Sequence, residues 1–130
     1  DQIFDLLAEV SPKIAEHGTF NFFFLNGQAL FAYAITKLHW LVREYPFKPA
    51  QLIDLDVEVD FSQVTTPEDR VAVITTEPLT QNEVWTAFEP GEMILFQDGR
   101  PIRKQLTHVE RLERERLNPE LKRITKADQY

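Results

Sequence analysis

Hydrophobic and polar positions along the chain follow several different periods, and each period predicts a different kind of element. At the start, apolar residues recur every three to four positions, which is typical of an amphipathic helix. These residues are Ile3, Leu6, Leu7, Val10 and Ile14. Asp1 and Asp5 suit the N-terminus of such a helix, and Gly18 is placed to cap its C-terminus. Pro12 predicts a kink, or a second short helix that begins after Ser11.

Two almost continuously apolar segments follow, and they predict strands that are covered on both faces. They run from Thr19 to Leu25 and from Ala29 to Ile35, and they are rich in Phe and other residues that favour strands. Asn26-Gly27 lies between them and is the preferred pair for a type I′ turn, so an antiparallel hairpin is predicted. His39 to Val42 predicts a third apolar strand.

A sharply alternating segment, Asp54 to Phe61, predicts a strand with one face exposed to water. A further buried strand is predicted at Arg70 to Thr76 and another strand at Glu92 to Phe96, and Asp98-Gly99 predicts a second tight hairpin. The segment from Val109 onward is rich in Arg and Glu, which predicts a solvated helix that lies loosely on the domain. A helix, then a run of strands joined mainly by hairpins, then a helix is typical of the α+β class with antiparallel sheets.

The composition excludes several classes of function. The chain has 14 Lys and Arg against 21 Asp and Glu, and its net charge of −7 disfavours nucleic acid as a partner. It has no Cys, which excludes disulfides, thiolate metal sites and a thiol nucleophile within these residues. No apolar run reaches the roughly 18 to 20 residues of a membrane span. Because the first residues also lack the basic region of a secretory signal, we expect a cytoplasmic protein with no membrane partner.

One row of carboxylates could form a metal site, although a strand face that is simply exposed to solvent is favoured. The row consists of Asp54, Asp56, Glu58 and Asp60, whose spacing of two places all four on one face of a strand, where they could bind a hard cation. The calcium-loop pattern fails, because Val59 stands where the loop needs Gly and Thr65 stands where it needs Glu. We therefore expect a solvated strand face and no metal.

The other candidate residues do not form a recognisable catalytic set. The three histidines are His17, His39 and His108. They lack a second ligand at metal-binding spacing, and His39 is expected to be packed among apolar neighbours. Trp85, which follows Asn82-Glu83-Val84, could line a pocket, but a core or edge aromatic is favoured. Ser11 and Ser62 lack the glycines of a nucleophile elbow, and no Gly-rich loop predicts nucleotide binding.

Several segments nevertheless occur together in an order that resembles a known family. They are His17 to Asn21 running into FFFLNGQALFAYA, then Leu38-His39-Trp40, Asp56 to Phe61, VAVITTEPL at Val71 to Leu79, Asn82 to Trp85, and Pro90-Gly91-Glu92. Together they resemble the second half of a class II glutamine amidotransferase domain of the small, stand-alone, YafJ-like type. The similarity covers roughly Asp1 to Ile102.

The resemblance implies a fold and a place within it. The implied fold is that of the N-terminal-nucleophile hydrolases, a four-layer αββα sandwich with two antiparallel sheets between helix layers. Residues 1–106 would form the C-terminal part of the amidotransferase domain, and residues 107–130 would form a charged helical tail. The partner would be the N-terminal half of the same domain, upstream of Asp1, and a homo-oligomer is compatible with this picture.

The resemblance also implies a chemistry whose groups this chain lacks. Family members hydrolyse the side-chain amide of L-glutamine, or act on γ-glutamyl compounds, through an N-terminal Cys whose α-amine serves as base. An Asn-Gly pair forms the oxyanion hole, but that pair follows a His in the first half of the domain, whereas here Leu25 precedes Asn26. Residue 1 is Asp. The resemblance thus implies no catalytic, cofactor-binding or metal-binding residue in this chain, which alone would be inactive. The alternative is a non-catalytic α+β binding domain that lacks the nucleophile.

Overall fold

The computed structural model describes residues 1–121 as one layer of helices and two layers of strands, and residues 122–130 of the predicted tail lie outside the described residues. The elements in chain order are α1 (Gln2–Ala15), β1 (Asn21–Leu25), β2 (Ala29–Ala34), β3 (His39–Glu44), β4 (Ala50–Gln51), β5 (Glu58–Val59), β6 (Arg70–Thr75), β7 (Thr86–Ala87), β8 (Glu92–Gln97), β9 (Arg100–Leu106) and α2 (Glu110–Leu117). None of the helices in this part of the chain is long and apolar enough to cross a membrane.

The strands pair in two main sheets, and every pairing is antiparallel. Sheet A has the order β1-β2-β8-β9, and sheet B has the order β6-β3-β7. The short strands β4 and β5 pair only with each other. These observations confirm the predicted α+β class with antiparallel sheets, and they confirm the strands that were predicted at β2, β3, β6 and β8. The prediction that β6 is buried is wrong, because β6 is an edge strand of sheet B and Val71 is 48% exposed.

Strand β2 shows why a nearly continuous apolar run is needed in the centre of this fold. Phe31 and Tyr33 belong to the core between sheet A and α1, where they pack with Phe4. Ala32 and Ala34 belong to a second core between sheet A and sheet B. Since all four strand residues are buried, β2 is covered on both faces, as predicted.

For β1 the prediction of two covered faces is wrong. Phe23, Phe24 and Leu25 are 49%, 42% and 64% exposed. The physical reason is that β1 is an edge strand of sheet A, with no neighbouring strand on its outer side among residues 1–121. The apolar composition of β1 is like that of β2, but its position in the sheet is different.

The hairpin between β1 and β2 is confirmed, although its turn differs from the predicted one. The two central residues are Gly27 and Gln28, and only Gly27 has a positive φ, of 88°. Glycine at the first central position is characteristic of a type II′ turn rather than type I′. Asn26 precedes the turn, and its Oδ1 accepts hydrogen bonds from the backbone N of Gln28 (3.0 Å) and of Ala29 (2.9 Å). At the β8–β9 hairpin, Asp98 and Gly99 both have positive φ, which is the type I′ pattern.

The predicted strand from Asp54 to Phe61 is wrong in all but two residues. Only Glu58–Val59 is extended and paired. Asp56 has a φ of 45°, and the backbone N of Leu52 donates to the oxygen of Val57 (2.9 Å), so the chain forms a turn there. The apolar side of the alternation consequently covers no core, and Leu55 is 69% exposed.

Helix α1 continues through Pro12, so the predicted second helix does not form. Proline cannot donate the backbone hydrogen bond that a helix places at this position. A buried stripe made of Phe4, Ala8, Ser11 and Ala15 extends on both sides of the proline. Packing of that stripe on sheet A offsets the missing hydrogen bond.

The C-terminus of α1 is capped by α2 and not by Gly18, which does not have a positive φ. Arg111 donates from Nε to the oxygen of Ala15 (2.9 Å) and from Nη2 to the oxygen of Gly18 (3.2 Å). In return, the Glu16 carboxylate accepts hydrogen bonds from the backbone N of Glu110 and of Arg111, the first two residues of α2. A cation thus lies at one helix C-terminus and an anion at the other helix N-terminus. The expectation that the charged helix lies loosely on the domain is therefore wrong.

Candidate functional site

A connected cluster of polar side chains joins β3 to the loop that precedes β7. Arg43 of β3 donates from Nε and Nη2 to the two carboxylate oxygens of Glu83, at 2.9 Å and 2.7 Å. Thr80 Oγ1 donates to Glu83 Oε1 at 2.7 Å, and Trp85 Nε1 donates to Thr80 Oγ1 at 3.0 Å. This two-pronged ion pair is the geometry in which a guanidinium binds a carboxylate most strongly.

The environment of this ion pair keeps Glu83 ionised. The side chains of Arg43 and Glu83 are only 19% and 20% exposed. The hydrogen bond from Arg43 lowers the pKa of Glu83, burial opposes that effect, and the hydrogen bond from Thr80 lowers the pKa further. Because its oxygens already accept bonds from Arg43 and Thr80, the carboxylate is poorly suited to take up a proton from a substrate.

Arg43 also contacts a second loop, which makes the cluster a junction. Its guanidinium carbon lies 5.3 Å from the centre of the Phe61 ring, within the range of a cation–π interaction. Phe61 belongs to the irregular segment after β5, whereas Glu83 belongs to the loop before β7. The arrangement can therefore hold two loops against the same strand of sheet B.

A cavity of about 380 Å³ lies beside this cluster, between β3 and the loops at residues 46–49 and 82–84. Asn82 lines the cavity, but its amide is already bonded: Oδ1 accepts from the backbone N of Gln51 (2.8 Å), and Nδ2 donates to the oxygen of Pro49 (2.8 Å). Trp85 is half-buried and is not among the lining residues. The favoured interpretation of Trp85 as an edge aromatic fits this position better than a role in the pocket wall.

The structure does not bring the acidic row together as a metal site. All four carboxylates are exposed, and within residues 1–121 no group of three or more His, Cys, Asp or Glu side chains could hold a metal ion. Gln51 donates to Asp56 Oδ1 at 3.3 Å, and the backbone N of Ser62 donates to Asp60 Oδ1 at 2.9 Å. Hydrogen bonds from Ser62 lower the pKa of Asp60. Asp56 and Asp60 therefore stabilise local turns.

The histidines and serines are distributed over different elements. His17 and His108 are exposed, and His39, at the start of β3, is half-buried with its Nδ1 3.0 Å from the oxygen of Thr76. Ser11 is buried inside α1, and Ser62 is exposed in a loop. In the part of the chain that the structure describes, no hydrogen bond joins one of these five side chains to another.

Two structurally important polar residues were not identified from the sequence, namely Asn21 and Arg43. Asn21 Oδ1 accepts from the backbone N of Ile35 (2.8 Å) and of Thr36 (3.0 Å), and its Nδ2 donates to Thr36 Oγ1 (2.9 Å). It therefore stabilises the corner at which the chain leaves sheet A for sheet B. The only sequence signal for either residue is a polar side chain within an apolar strand, because the partners lie 14 to 40 positions away.

Sequence comparisons identify the family to which these elements belong. The family model of class-II glutamine amidotransferases matches residues 1–120. The candidate glutamine amidotransferase YafJ of Escherichia coli K12 is 46% identical over 94 residues, which cover 72% of this chain and 37% of YafJ. A candidate glutamine amidotransferase of Haemophilus influenzae is 43% identical over 101 residues, which cover 78% of this chain and 34% of that protein.

A structural comparison agrees with the sequence matches. The 2.0 Å crystal structure of a predicted glutamine amidotransferase from Pseudomonas aeruginosa PA01 is similar to this chain, with a TM-score of 0.60 and 40% sequence identity. The match covers 76% of this chain and 41% of the Pseudomonas chain. The chain thus spans well under half the length of these relatives. The resemblance found in the sequence is confirmed, and the chain belongs to the class-II glutamine amidotransferase family.

Proposed function

We propose that this chain is the structural, C-terminal half of a class II amidotransferase domain. The complete domain hydrolyses the side-chain amide of L-glutamine to glutamate and ammonia, or cleaves the equivalent bond of a γ-glutamyl compound. The observation that carries the proposal is a family match along residues 1–120 by a chain that spans only 34% to 41% of its relatives' length. We place the protein in the cytoplasm on the grounds of its sequence.

In the proposed reaction the chemical groups belong to the N-terminal half, upstream of Asp1. A Cys thiolate attacks the amide carbonyl, and the α-amine of the same residue transfers the thiol proton to the departing nitrogen. Ammonia leaves, and a water molecule then hydrolyses the thioester to glutamate and regenerates the thiol. Backbone and side-chain amides of that half stabilise the oxyanion.

The contribution of this chain is to support the site. The clusters around Arg43 and Asn21 use their polar atoms on each other and on the backbone, so they hold strands and loops in place. Within a four-layer αββα sandwich, α1 and α2 would form part of one helix layer, and the N-terminal half would supply the remaining strands and the other helix layer. This arrangement agrees with the two cores seen on opposite faces of sheet A.

The test is a glutaminase assay on the full-length protein encoded by the complete reading frame. We expect release of glutamate from L-glutamine or from a γ-glutamyl peptide, and we expect no release when the N-terminal Cys is replaced by Ser. The 130-residue chain alone is the second negative control. A full-length protein that starts with Met-Cys and hydrolyses neither class of substrate would contradict the proposal.

The alternative, a non-catalytic α+β binding domain, is favoured by one specific observation, the absence of Cys from the chain. Reading the coding sequence upstream of Asp1 separates the two functions. An initiator codon directly before Asp1 would support the binding domain, whereas an upstream Met-Cys start would support the amidotransferase.

A further inference from the structure

We propose that the rest of the polypeptide docks on one flank of the sandwich, where β1 and β6 are edge strands, and that it pairs an extended segment with the free edge of β1. This flank, formed by β1, β6 and the space between them, is called the open flank below. The inference rests on the proposed function, because it identifies the surface at which the two halves of the domain meet.

The backbone of β1 is prepared for such pairing. The backbone N of Asn26 donates to the oxygen of Ala29, so these residues form a hydrogen-bonded pair at the end of the hairpin. In an antiparallel ladder, hydrogen-bonded and non-hydrogen-bonded pairs alternate. The N–H and C=O groups of Phe23 and Leu25 therefore point away from β2, toward the side of sheet A where the described part of the chain has no further strand.

The side chains of the same two residues are also uncovered. Phe22 lies 5.7 Å from Tyr33 and Phe24 lies 5.8 Å from Phe31, measured between ring centres, and both partners face α1. Since successive side chains of a strand alternate in direction, Phe23 and Leu25 face the sheet B side. Sheet B does not extend far enough to cover them, since Phe23 remains 49% and Leu25 64% exposed.

An apolar space connects the edges of the two sheets. A cavity of about 380 Å³ is lined by Leu25 and Leu30 from the β1–β2 hairpin, by Val71, Ala72 and Ile74 from β6, and by the β8–β9 turn at residues 96–99. Because β6 is an edge strand of sheet B within residues 1–121 and Val71 is 48% exposed, this space opens to solvent beside β6. A segment with alternating apolar side chains would fill the cavity while its backbone pairs with β1.

The two flanks of the sandwich differ in how their edges are protected. Proteins commonly protect an edge strand with Pro, with Lys or Arg, or by making it very short. The other edge strand of sheet A, β9, carries Pro101, Arg103 and Lys104, and the other edge strand of sheet B, β7, is two residues long. The sequence of β1 is NFFFL, which has neither a charge nor a proline. Such an edge is suited to a permanent partner strand rather than to water.

The occupant that fits best is a strand of the same polypeptide and not a second copy of this chain. The relatives have roughly two to three times the length that this chain matches, which supplies ample chain for further strands. Two copies of a chain with a net charge of −7 would repel each other during edge-to-edge association. A strand within one polypeptide instead reaches β1 at high effective concentration.

Residue-resolved amide hydrogen exchange of the full-length protein tests the pairing directly. We expect the amides of Phe23 and Leu25 to be protected within about tenfold of the amide of Phe24, which already faces β2. The proposal would be overturned if, in a monomeric and folded protein, the amide hydrogens of Phe23 and Leu25 exchanged as fast as the amide hydrogen of the exposed loop residue Val84. Protection that appears only in a dimer would also overturn it, in favour of a second copy as occupant.

A pair of matched substitutions supplies an independent readout. Leu25→Lys places a charge in the proposed interface, whereas Val84→Lys adds the same charge at a position that is 90% exposed. In the full-length protein we expect Leu25→Lys to lower the Tm by at least about 4 °C more than Val84→Lys. Equal effects would contradict a covered flank.

Neither measurement uses glutamine, so the two proposals can fail separately. A protected β1 in a protein without glutaminase activity would leave the open flank as the docking surface and would refute only the proposed function. An active glutaminase with unprotected amides at Phe23 and Leu25 would refute only the docking surface.

Discussion

Two glycines with positive φ provide a matched pair for testing how the sheets contact each other. Gly27 in the β1–β2 turn has a φ of 88°, and Gly99 in the β8–β9 turn has a φ of 72°. A Cβ atom built on Gly27 meets nothing within 4 Å. A Cβ atom built on Gly99 would lie 2.5 Å from the oxygen and 2.7 Å from the carbonyl carbon of Arg70, the first residue of β6.

These geometries predict different costs for the same substitution to Ala. A left-handed conformation costs a non-glycine residue about 1–2 kcal/mol, and this strain is common to both sites. Contact between carbon atoms is favourable near 3.5–4 Å, so the Cβ of Gly99→Ala would be roughly 1 Å too close to backbone that cannot rotate away. Overpacking of this kind costs about 1–3 kcal/mol. We therefore expect Gly27→Ala to lower the free energy of unfolding by about 1–2 kcal/mol and Gly99→Ala by about 2–5 kcal/mol.

Urea denaturation, followed by circular dichroism and tryptophan fluorescence, measures both free energies. Gly99→Asn is the control for backbone strain, because Asn tolerates positive φ better than Ala while it still carries a Cβ. We expect Gly99→Asn to remain more destabilising than Gly27→Asn. Equal losses at the two glycines would refute the contact between the β8–β9 turn and the start of β6.

Three further predictions follow from individual side chains. Asn21→Ala removes the acceptor for two backbone N–H groups at the corner between the sheets, and it should lower the free energy of unfolding by about 1–3 kcal/mol in a urea titration; an unchanged titration would contradict this role. Because its folded-state pKa is lowered, Glu83 contributes stability that is complete above its unfolded pKa and is lost as the pH falls through the folded value. The stability difference between the wild type and Glu83→Gln should therefore shrink as the pH falls below the unfolded pKa of the carboxyl group, and a difference that grows on acidification would contradict this role. Asn26→Ala should lower the free energy of unfolding by about 1 kcal/mol through loss of the side-chain hydrogen bonds at the turn. Under the proposed function, the full-length protein that carries this substitution should keep its glutaminase kcat, and a kcat defect in a fully stable variant would show that Asn26 has a catalytic role.

Periodicity was sufficient to predict the central strands but not their positions in the sheets. The apolar runs of β1 and β2 are equally dense, and both predict strands with two covered faces. Of these two strands only β2 has neighbours on both sides, because β8 pairs with it from 58 to 68 positions away along the chain. A local pattern reports which side chains can be buried, whereas the neighbour that buries them depends on the whole topology.

At the segment from Asp54 to Phe61 the prediction failed for a different reason: the alternation is typical of a strand, but most of the segment has no second strand to pair with. Its alternation is the most regular in the chain, but strand formation also requires a second strand in register. In the structure Asp56 adopts a positive φ, and pairing is limited to Glu58 and Val59 opposite β4. The turn was not predictable from residue type, because Asp at positive φ is uncommon and depends on its surroundings.

The polar clusters explain why candidate-site prediction had little to find in this chain. Arg43 and Glu83 are 40 positions apart, and Glu16 and Glu110 are 94 apart, so neither junction has a local motif. In each junction the hydrogen-bonding groups are used to hold elements together, while a catalytic acid or nucleophile needs a free atom directed at a substrate. The outward backbone groups and the apolar side chains of Phe23 and Leu25 are, by contrast, not used in such a junction. The open flank is therefore the surface at which we propose that the rest of the polypeptide attaches.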